Sequence, residues 1–298
     1  MSFASEVKNE IISLERQTCC QSAFNYALLL FARSFSTDSI SLLTENESVA
    51  NAFADASFSL CEEKAPLQVN DAGKYYKVSI ENRDTITRIL TAFGYEAKSF
   101  KRRINFADIP DSCCFSAFAA GAFLACGTVT DPDKEYHLEF SLSTKGLCDD
   151  LVKIFDEFEI HPKTTVRGGA YVVYIKNSND IEELLTRMGA TETAMQLMGS
   201  KMLKDIRNTV NRKVNFESAN LARTIAAATK QYEAIARLVE KTGLDSLPEQ
   251  LREIARLRLE DREMSSAEIA KILPESISVS GVNHRFRKLI KMAEELKE

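Results

Sequence analysis

The chain has 298 residues, of which 45% are hydrophobic and 27% charged, values that are typical of folded globular domains. No run approaches 18 consecutive apolar residues, and charges interrupt the first 20 residues, so the sequence predicts neither a membrane span nor a signal peptide. Seven cysteines favour reduced thiols over a disulfide framework, and three histidines argue against a multi-histidine metal site. We therefore expect a cytoplasmic protein with no cofactor and no bound metal.

The net charge of −5 is unevenly distributed along the chain. Residues 1–199 carry 19 basic and 28 acidic side chains, whereas residues 200–298 carry 19 basic and 15 acidic ones. An acidic front part repels polyanions and a basic back part attracts them. The two parts are expected to have different roles.

Two blocks in the first 190 residues recur at nearly one spacing. The block CCQSAFNYALLLFARS begins at Cys19, and CCFSAFAAGAFLACGT begins 94 residues later at Cys113. The segment from Tyr76 to Gly94 matches a second segment at an offset of 95. These matches predict one unit used twice, over residues of about 15–95 and 110–190.

Each unit has the same predicted order of elements, α-β-β-α-β-α, with room for one more strand. The first helix, 19–34 or 113–126, consists of small and apolar residues, which indicates burial on all sides. Strands with apolar residues at period 2 follow, then a helix such as 146–160, another strand and a closing amphipathic helix. The two small-residue helices are expected to pair at the seam between the repeats.

This layout resembles the LAGLIDADG homing-endonuclease fold, in which two αββαββα units pack through their first helices. The segment AAGAFLACG, from Ala119 to Gly127, is the best match to the motif. In that family, acidic residues at the ends of the seam helices bind divalent metal for DNA cleavage. Cys126 and, by the repeat, Ala32 stand there instead. Neither offers carboxylate oxygen, so we expect no catalytic residues.

Residues 196–242 contain no proline and are rich in helix formers. Five basic residues and one acidic residue lie between 201 and 213. This basic helix could lie along DNA phosphates, but a solvated helix that joins two domains is the plainer interpretation.

Residues 243–298 predict three helices with a short second one, the helix-turn-helix layout. Pro248 starts the first helix, a capping box of Ser265 and Glu268 starts the second, and Pro274 ends it. The third helix carries a core stripe at helical spacing: Val282, Phe286, Leu289, Ala293 and Leu296.

The polar residues of the third helix are the predicted DNA-binding site. Its N-terminal part, from 284 to 291, has four basic residues and no acidic one. Recognition helices read base edges near their N-termini and contact phosphates through arginine and lysine. The predicted site comprises Ser278, Ser280, Asn283, His284, Arg285, Arg287, Lys288 and Lys291. An ordinary solvated helix or a protein-binding helix is the alternative.

Three other features of the sequence have a simpler explanation than a catalytic or metal site. The Cys19–Cys20 and Cys113–Cys114 pairs lack the C-x-x-C spacing of zinc sites and are interpreted as small buried side chains. The isolated His137 and His161 do not support a nucleophilic triad. The cationic run KSFKRR at 98–103 is a solvated linker or a contact to DNA or a partner.

Nearly the whole chain resembles the WhiA proteins of Gram-positive bacteria. The blocks that carry this resemblance are MSFASEVKNEI, the two CC-initiated helices, GAFLACGTVTDPDKEYHLEF, NTVNRKVNFESANLARTIAAA and EIAKILPESISVSGVNHRFRKLIKMAEELK. The resemblance implies an α+β protein: a degenerate LAGLIDADG domain (1–195), a helical bridge (196–242) and a helix-turn-helix domain (243–298). It also implies sequence-specific DNA binding in cell division, chromosome segregation and transcription.

The sequence thus predicts a non-enzymatic regulator that binds double-stranded DNA through its C-terminal domain. We expect it to be a monomer, because one chain supplies both halves of the seam, and to be associated with the nucleoid. The front domain is expected to take a protein partner or a signal. A division-associated adaptor with little DNA binding and an active metal-dependent endonuclease are the two alternatives.

Overall fold

The computed structural model describes residues 2–70, 73–274 and 277–296. The chain forms two compact units, one up to Lys204 and the other from Asp205. The predicted connection at 274–277 includes residues 275 and 276, and the predicted third C-terminal helix includes residues 297 and 298. These four positions lie outside the described residues.

The first unit contains the predicted duplication. A helix α1 (Phe3–Ile12) precedes it. The first copy comprises α2 (Thr18–Leu30), β1 (Ser34–Phe35), β2 (Ile40–Thr44), α3 (Glu47–Cys61), β3 (Leu67–Val69), β4 (Tyr76–Ile80) and α4 (Arg83–Ala92). The second comprises α5 (Ser112–Cys126), β5 (Gly127–Val129), β6 (Leu138–Leu142), α6 (Lys145–Asp156), β7 (Lys163–Arg167), β8 (Ala170–Ile175) and α7 (Ser178–Met188). Each copy is therefore αββαββα, and the additional strand is present.

The two copies form antiparallel sheets of one topology. Their strand orders are β1-β2-β4-β3 and β5-β6-β8-β7. Corresponding registers pair Leu42 with Val78 in one sheet and Phe140 with Val173 in the other. All four side chains are buried, so each sheet turns an alternating apolar face to the core, as period 2 requires.

The helices α2 and α5 pack against each other at the centre of this unit. Ala27 and Leu28 of α2 and Ala119 and Ala120 of α5 are fully buried. A Cβ atom on Gly121 would lie well inside contact distance of the Phe24 carbonyl oxygen, so only glycine permits this approach of the two backbones. The predicted seam is confirmed, although the first helix ends at Leu30 rather than at residue 34 because the chain turns there into β1.

A 52-residue helix, α8 (Thr191–Thr242), includes the predicted bridge. It is followed by a 3-10 turn (Leu244–Ser246), α9 (Glu249–Glu260), α10 (Ser266–Ile272) and α11 (Val279–Glu295). Pro248 is the N-cap of α9 and lies just outside the helix. The end of α8 packs with the three later helices around a second apolar core that includes Ile235, Ile254 and Ile269.

Candidate nucleic-acid interface

The turn between α9 and α10 and the start of α10 are fixed by short-range hydrogen bonds. The Ser265 hydroxyl accepts from the Glu268 backbone N–H at 3.2 Å, and the Glu268 carboxylate accepts from the Ser265 N–H at 2.8 Å. This is the predicted capping box. The helix ends at Ile272, just before Pro274, as the sequence predicts. The short second helix of a helix-turn-helix is therefore defined at both ends.

The third helix, α11, presents two different faces. Val282, Phe286, Leu289 and Ala293 are buried in the second core, and the predicted stripe is confirmed at these four positions. Ser280, His284, Arg287, Lys288 and Lys291 are exposed. Ser280, His284 and Arg287 follow one another at i, i+4 and i+7, so they share one face. Apart from the exposed Val279 at its start, the exposed surface of α11 is therefore polar and cationic through its first three turns.

Three of the eight predicted site residues make hydrogen bonds that anchor α11. Ser278 is the N-cap of α11 and accepts from the Gly281 N–H at 3.2 Å. The Asn283 side-chain oxygen accepts from the Ser266 hydroxyl at 2.8 Å, which ties α11 to α10. Arg285 donates to the Gln250 carbonyl at 3.4 Å. These three side chains position the helix, although Ser278 is itself exposed, and the other five are exposed and available to a ligand.

The exposed cations differ in how they are neutralised. Lys291 lies 3.8 Å from the Glu295 carboxylate in a surface ion pair. Within the described ranges, neither Arg287 nor Lys288 has a carboxylate within ion-pair distance. Arg287 and Lys288 are therefore the cations of α11 best placed to meet a phosphate.

A buried arginine outside the predicted site supports this interface. Arg258 of α9 is 1% exposed, and its guanidinium lies 5.1 Å from the Phe286 ring centroid. It donates to Gln231 Oε1 at 3.2 Å and to the carbonyls of Arg262 and Met264 at 3.0 and 2.6 Å. Burial lowers the pKa of Arg258, and the nearby carboxylate of Asp261 partly offsets this.

Arg258 therefore closes the turn between α9 and α10 while it packs on α11. Its position on the stripe of Leu251, Ile254 and Ala255 is the sequence signal that could have revealed it.

The first unit holds cations where the LAGLIDADG pattern places metal-binding carboxylates. At the end of α2, Arg102 donates to the Leu30 carbonyl at 2.6 Å and also to the Ala32 carbonyl. At the equivalent end of α5, Lys8 donates to the Leu124 carbonyl at 3.3 Å. Leu30 and Leu124 are 94 residues apart, the repeat offset. The C-terminal end of each seam helix, where the helix dipole is negative, therefore contacts a basic side chain.

Burial governs the titration of these two cations. It lowers the pKa of Lys8, against an opposing influence of Cys126, and it lowers the pKa of Arg102 to about 10. Arg102 stays protonated at neutral pH, and a divalent metal ion at this end of the seam would meet its positive charge. The linker run 98–103 is therefore not simply solvated, since Arg102 holds α2 and the neighbouring Arg103 binds Asp150.

The two isolated histidines of the sequence each lie beside a carboxylate. His137 lies 2.9 Å from the Glu139 carboxylate and stacks on Tyr174, and His161 is an exposed side chain 3.5 Å from Asp156. Across residues 2–70, 73–274 and 277–296, no helix is long and apolar enough to cross a membrane.

A duplicated αββαββα unit followed by three helices of this arrangement defines the class: a LAGLIDADG-like domain joined to a helix-turn-helix domain. Family models described as the WhiA LAGLIDADG-like domain and the WhiA C-terminal HTH domain match residues 115–207 and 210–293. The chain is 36% identical over 310 residues to the probable cell division protein WhiA of Bacillus subtilis, covering 100% of this chain and 98% of that protein. The chain belongs to the WhiA family.

Two further comparisons agree with this assignment. The probable cell division protein WhiA of Bacillus pumilus is 35% identical over 309 residues, which cover 100% of this chain and 98% of that one. The crystal structure of full-length DUF199/WhiA from Thermotoga maritima superposes with a TM-score of 0.60 at 24% identity, covering 99% of both chains. The latter likeness supports the fold: an α+β LAGLIDADG-like domain and an all-α helix-turn-helix domain.

Proposed function

We propose that this protein is a non-enzymatic, sequence-specific DNA-binding regulator that acts in cell division and chromosome segregation. The observation that carries the proposal is the exposed cationic face of α11, held by a buried helix-turn-helix core. Recognition helices of this motif enter the major groove. The helix has the length, the anchoring and the charge that this role requires.

The exposed residues divide into two roles. Ser280 and His284, near the N-terminus of α11, are proposed to meet base edges, as the first turns of recognition helices do. Arg287, Lys288 and Lys291 are proposed to bind phosphates, which supply most of the affinity but no sequence information. Ser278, Asn283 and Arg285 orient the helix through the hydrogen bonds given above.

The first unit is proposed to be a module for a protein partner or a signal rather than a nuclease. Its acidic balance disfavours the grip on phosphates that a cleaving saddle needs. Ala32 and Cys126 supply no carboxylate, and Lys8 and Arg102 bind the adjacent helix ends. Incubation of the protein with plasmid and Mg²⁺ is expected to leave the plasmid intact, and metal-dependent nicking would contradict this assignment.

The cellular context follows from the same proposal. A DNA-binding member of a family of cell division proteins would work in the cytoplasm at the nucleoid. We propose a monomer, because the two copies within one chain already complete the seam between α2 and α5. A division adaptor whose α11 contacts protein is the second candidate, and it predicts no salt-dependent affinity for DNA.

The test is fluorescence anisotropy of the full chain on duplexes derived from genomic fragments, from about 50 to 200 mM salt. The variant Arg287→Ala/Lys288→Ala removes two exposed cations of α11. The control Lys74→Ala/Lys77→Ala removes the same charge from exposed positions in the first unit. Each lost phosphate contact lowers the salt slope by about one, so we expect a fall of about two in the α11 variant and none in the control.

Three results would count against the proposal. An unchanged salt slope in the α11 variant would remove this helix from the DNA. An equal fall in the control would indicate charge attraction without a defined interface. A duplex shift by residues 1–195 alone that equals that of the full chain would place DNA binding in the first unit.

A further inference from the structure

Four cysteines from the two copies meet at one end of the seam. Cys19 and Cys20 lie in the first turn of α2, and Cys113 and Cys114 lie at the equivalent positions of α5. Every pair of their four Sγ atoms lies within 4.8 Å. The sequence spacing did not reveal this, because each pair is vicinal and the four ligands come together only when the two copies pack.

The separations are compatible with a tetrahedral thiolate site and too long for a disulfide. Tetrahedral Zn²⁺ with Zn–S bonds of about 2.3 Å places its sulfur ligands about 3.8 Å apart. Cys19 Sγ lies 3.9 Å from Cys20 Sγ. Disulfide sulfurs are about 2.05 Å apart, and all seven cysteines are free thiols in this structure.

Exposure distinguishes Cys19 and Cys113 from the three cysteines outside the cluster, of which Cys126 is half-buried. Cys61 and Cys148 are buried, as small core side chains should be. In the cluster only Cys114 is buried, Cys20 is half-buried, and Cys19 and Cys113 are exposed. Two exposed thiols contribute little to the core, so the interpretation of all four as buried hydrophobes is not sufficient. Their exposure also leaves the cluster open to an incoming ion.

We propose that Cys19, Cys20, Cys113 and Cys114 bind one thiophilic metal ion, Zn²⁺, as an S₄ site that clamps the first turns of α2 and α5. Binding replaces four S–H protons, which pass to solvent, by four Zn–S bonds, and no sulfur changes oxidation state. The positive ends of both helix dipoles offset the net charge of −2 on the complex. The ion would cross-link the two copies of the repeat.

The test uses the full chain, reduced and stripped of metal, and titrated with Co²⁺ followed by Zn²⁺. Cobalt in a tetrahedral thiolate site gives sulfur-to-metal charge-transfer and intense visible d–d absorption, which zinc then abolishes by displacement. We expect about one ion per chain. The ion should also raise the melting temperature, because it binds the folded state. The readout on the wild-type chain requires no variant.

Two variants locate the site. Cys19→Ser/Cys113→Ser removes the two exposed ligands with little disturbance of the core, and we expect affinity to fall about a hundredfold or more. Cys148→Ala removes one buried thiol from α6, outside the cluster, and should bind as the wild type does. Circular dichroism confirms that each variant is folded.

The proposal is wrong if the reduced wild-type chain binds no cobalt, or if the double serine variant keeps the thiolate spectrum. The proposal would also be overturned if the four cysteines were recovered as disulfides and the chain, once reduced, bound no metal. None of these outcomes depends on DNA, so they are distinct from a failure of the proposed function.

Discussion

A single buried carboxylate, Asp150, joins the linker to the second copy of the repeat. It receives two hydrogen bonds of 2.6 Å from the Arg103 guanidinium and one of 3.2 Å from the Ile104 N–H. Burial by itself would raise the pKa of Asp150, but the hydrogen bonds from Arg103 and Ile104 outweigh it and hold the pKa below its usual value. The ionised form is therefore the one that stabilises the fold.

The stability that Asp150 contributes should depend on pH in a defined direction. Because its pKa is lower in the folded than in the unfolded state, the contribution is complete above the unfolded value of about 3.9 and disappears as the pH falls through the folded value. At pH 7, Asp150→Asn should lower the free energy of unfolding by about 2 kcal/mol. Chemical denaturation at several pH values measures the difference, which should shrink in acid.

Asp149, the adjacent residue, provides the control. Its carboxylate lies 3.1 Å from Lys145 in an exposed ion pair. Such pairs contribute about 0–1 kcal/mol, so Asp149→Asn should change stability little at any pH. Equal effects of the two variants would mean that burial of Asp150 does not matter.

At the scale of elements, the contact between α2 and α5 depends on Gly121. A Cβ atom there would meet the Phe24 backbone and lie 3.0 Å from the Ala27 Cβ. Gly199 of α8 has no atom within 4 Å of the corresponding point. The same substitution should therefore have opposite effects at these two helical glycines.

We expect Gly121→Ala to destabilise the protein by about 1–3 kcal/mol, because the two helix backbones must separate. Gly199→Ala should stabilise it by about 0.4–1 kcal/mol, because it restricts the unfolded chain without a clash. Denaturant midpoints at unchanged m-values provide the measurement. If Gly121→Ala left the stability unchanged, the two seam helices would have to be farther apart than the structure places them.

How far the sequence predicted these elements depends on the range of the interactions. The repeat, the seam helices and the three C-terminal helices were predictable because periodicity, caps and a near-constant repeat offset can be read directly from the order of the residues. The contacts of Arg258 with Gln231 and Phe286, the partners of Asp150, and the meeting of Cys19 with Cys113 were not. They join residues that are far apart in the chain or that only tertiary packing brings together.

The candidate interface shows the same limit within one helix. Helical periodicity placed the cationic face of α11 correctly, but it could not separate residues that the motif uses internally from those it exposes. Asn283 belongs to the first group because Ser266 lies beside it, and Ser266 is on another helix. Arg287 belongs to the second group.

At the scale of the whole molecule, the described residues form two apolar cores with no residue in common. The first extends along the sequence from Val7 to Leu197, and the second from Ala234 to Ala293. Between them, every residue from 205 to 227 is exposed except Asn220, which is half-buried. Cooperative unfolding is transmitted through buried contacts, so two cores joined by an exposed helix should unfold separately.

Scanning calorimetry of the full chain should therefore resolve two transitions, and one variant in each unit assigns them. Gly121→Ala should lower only the transition of the first core. Arg258→Met should lower only that of the second, by about 3 kcal/mol in unfolding free energy, because the carbonyls of Arg262 and Met264 lose their donor. A single transition that both variants shift would mean that α8 couples the units tightly.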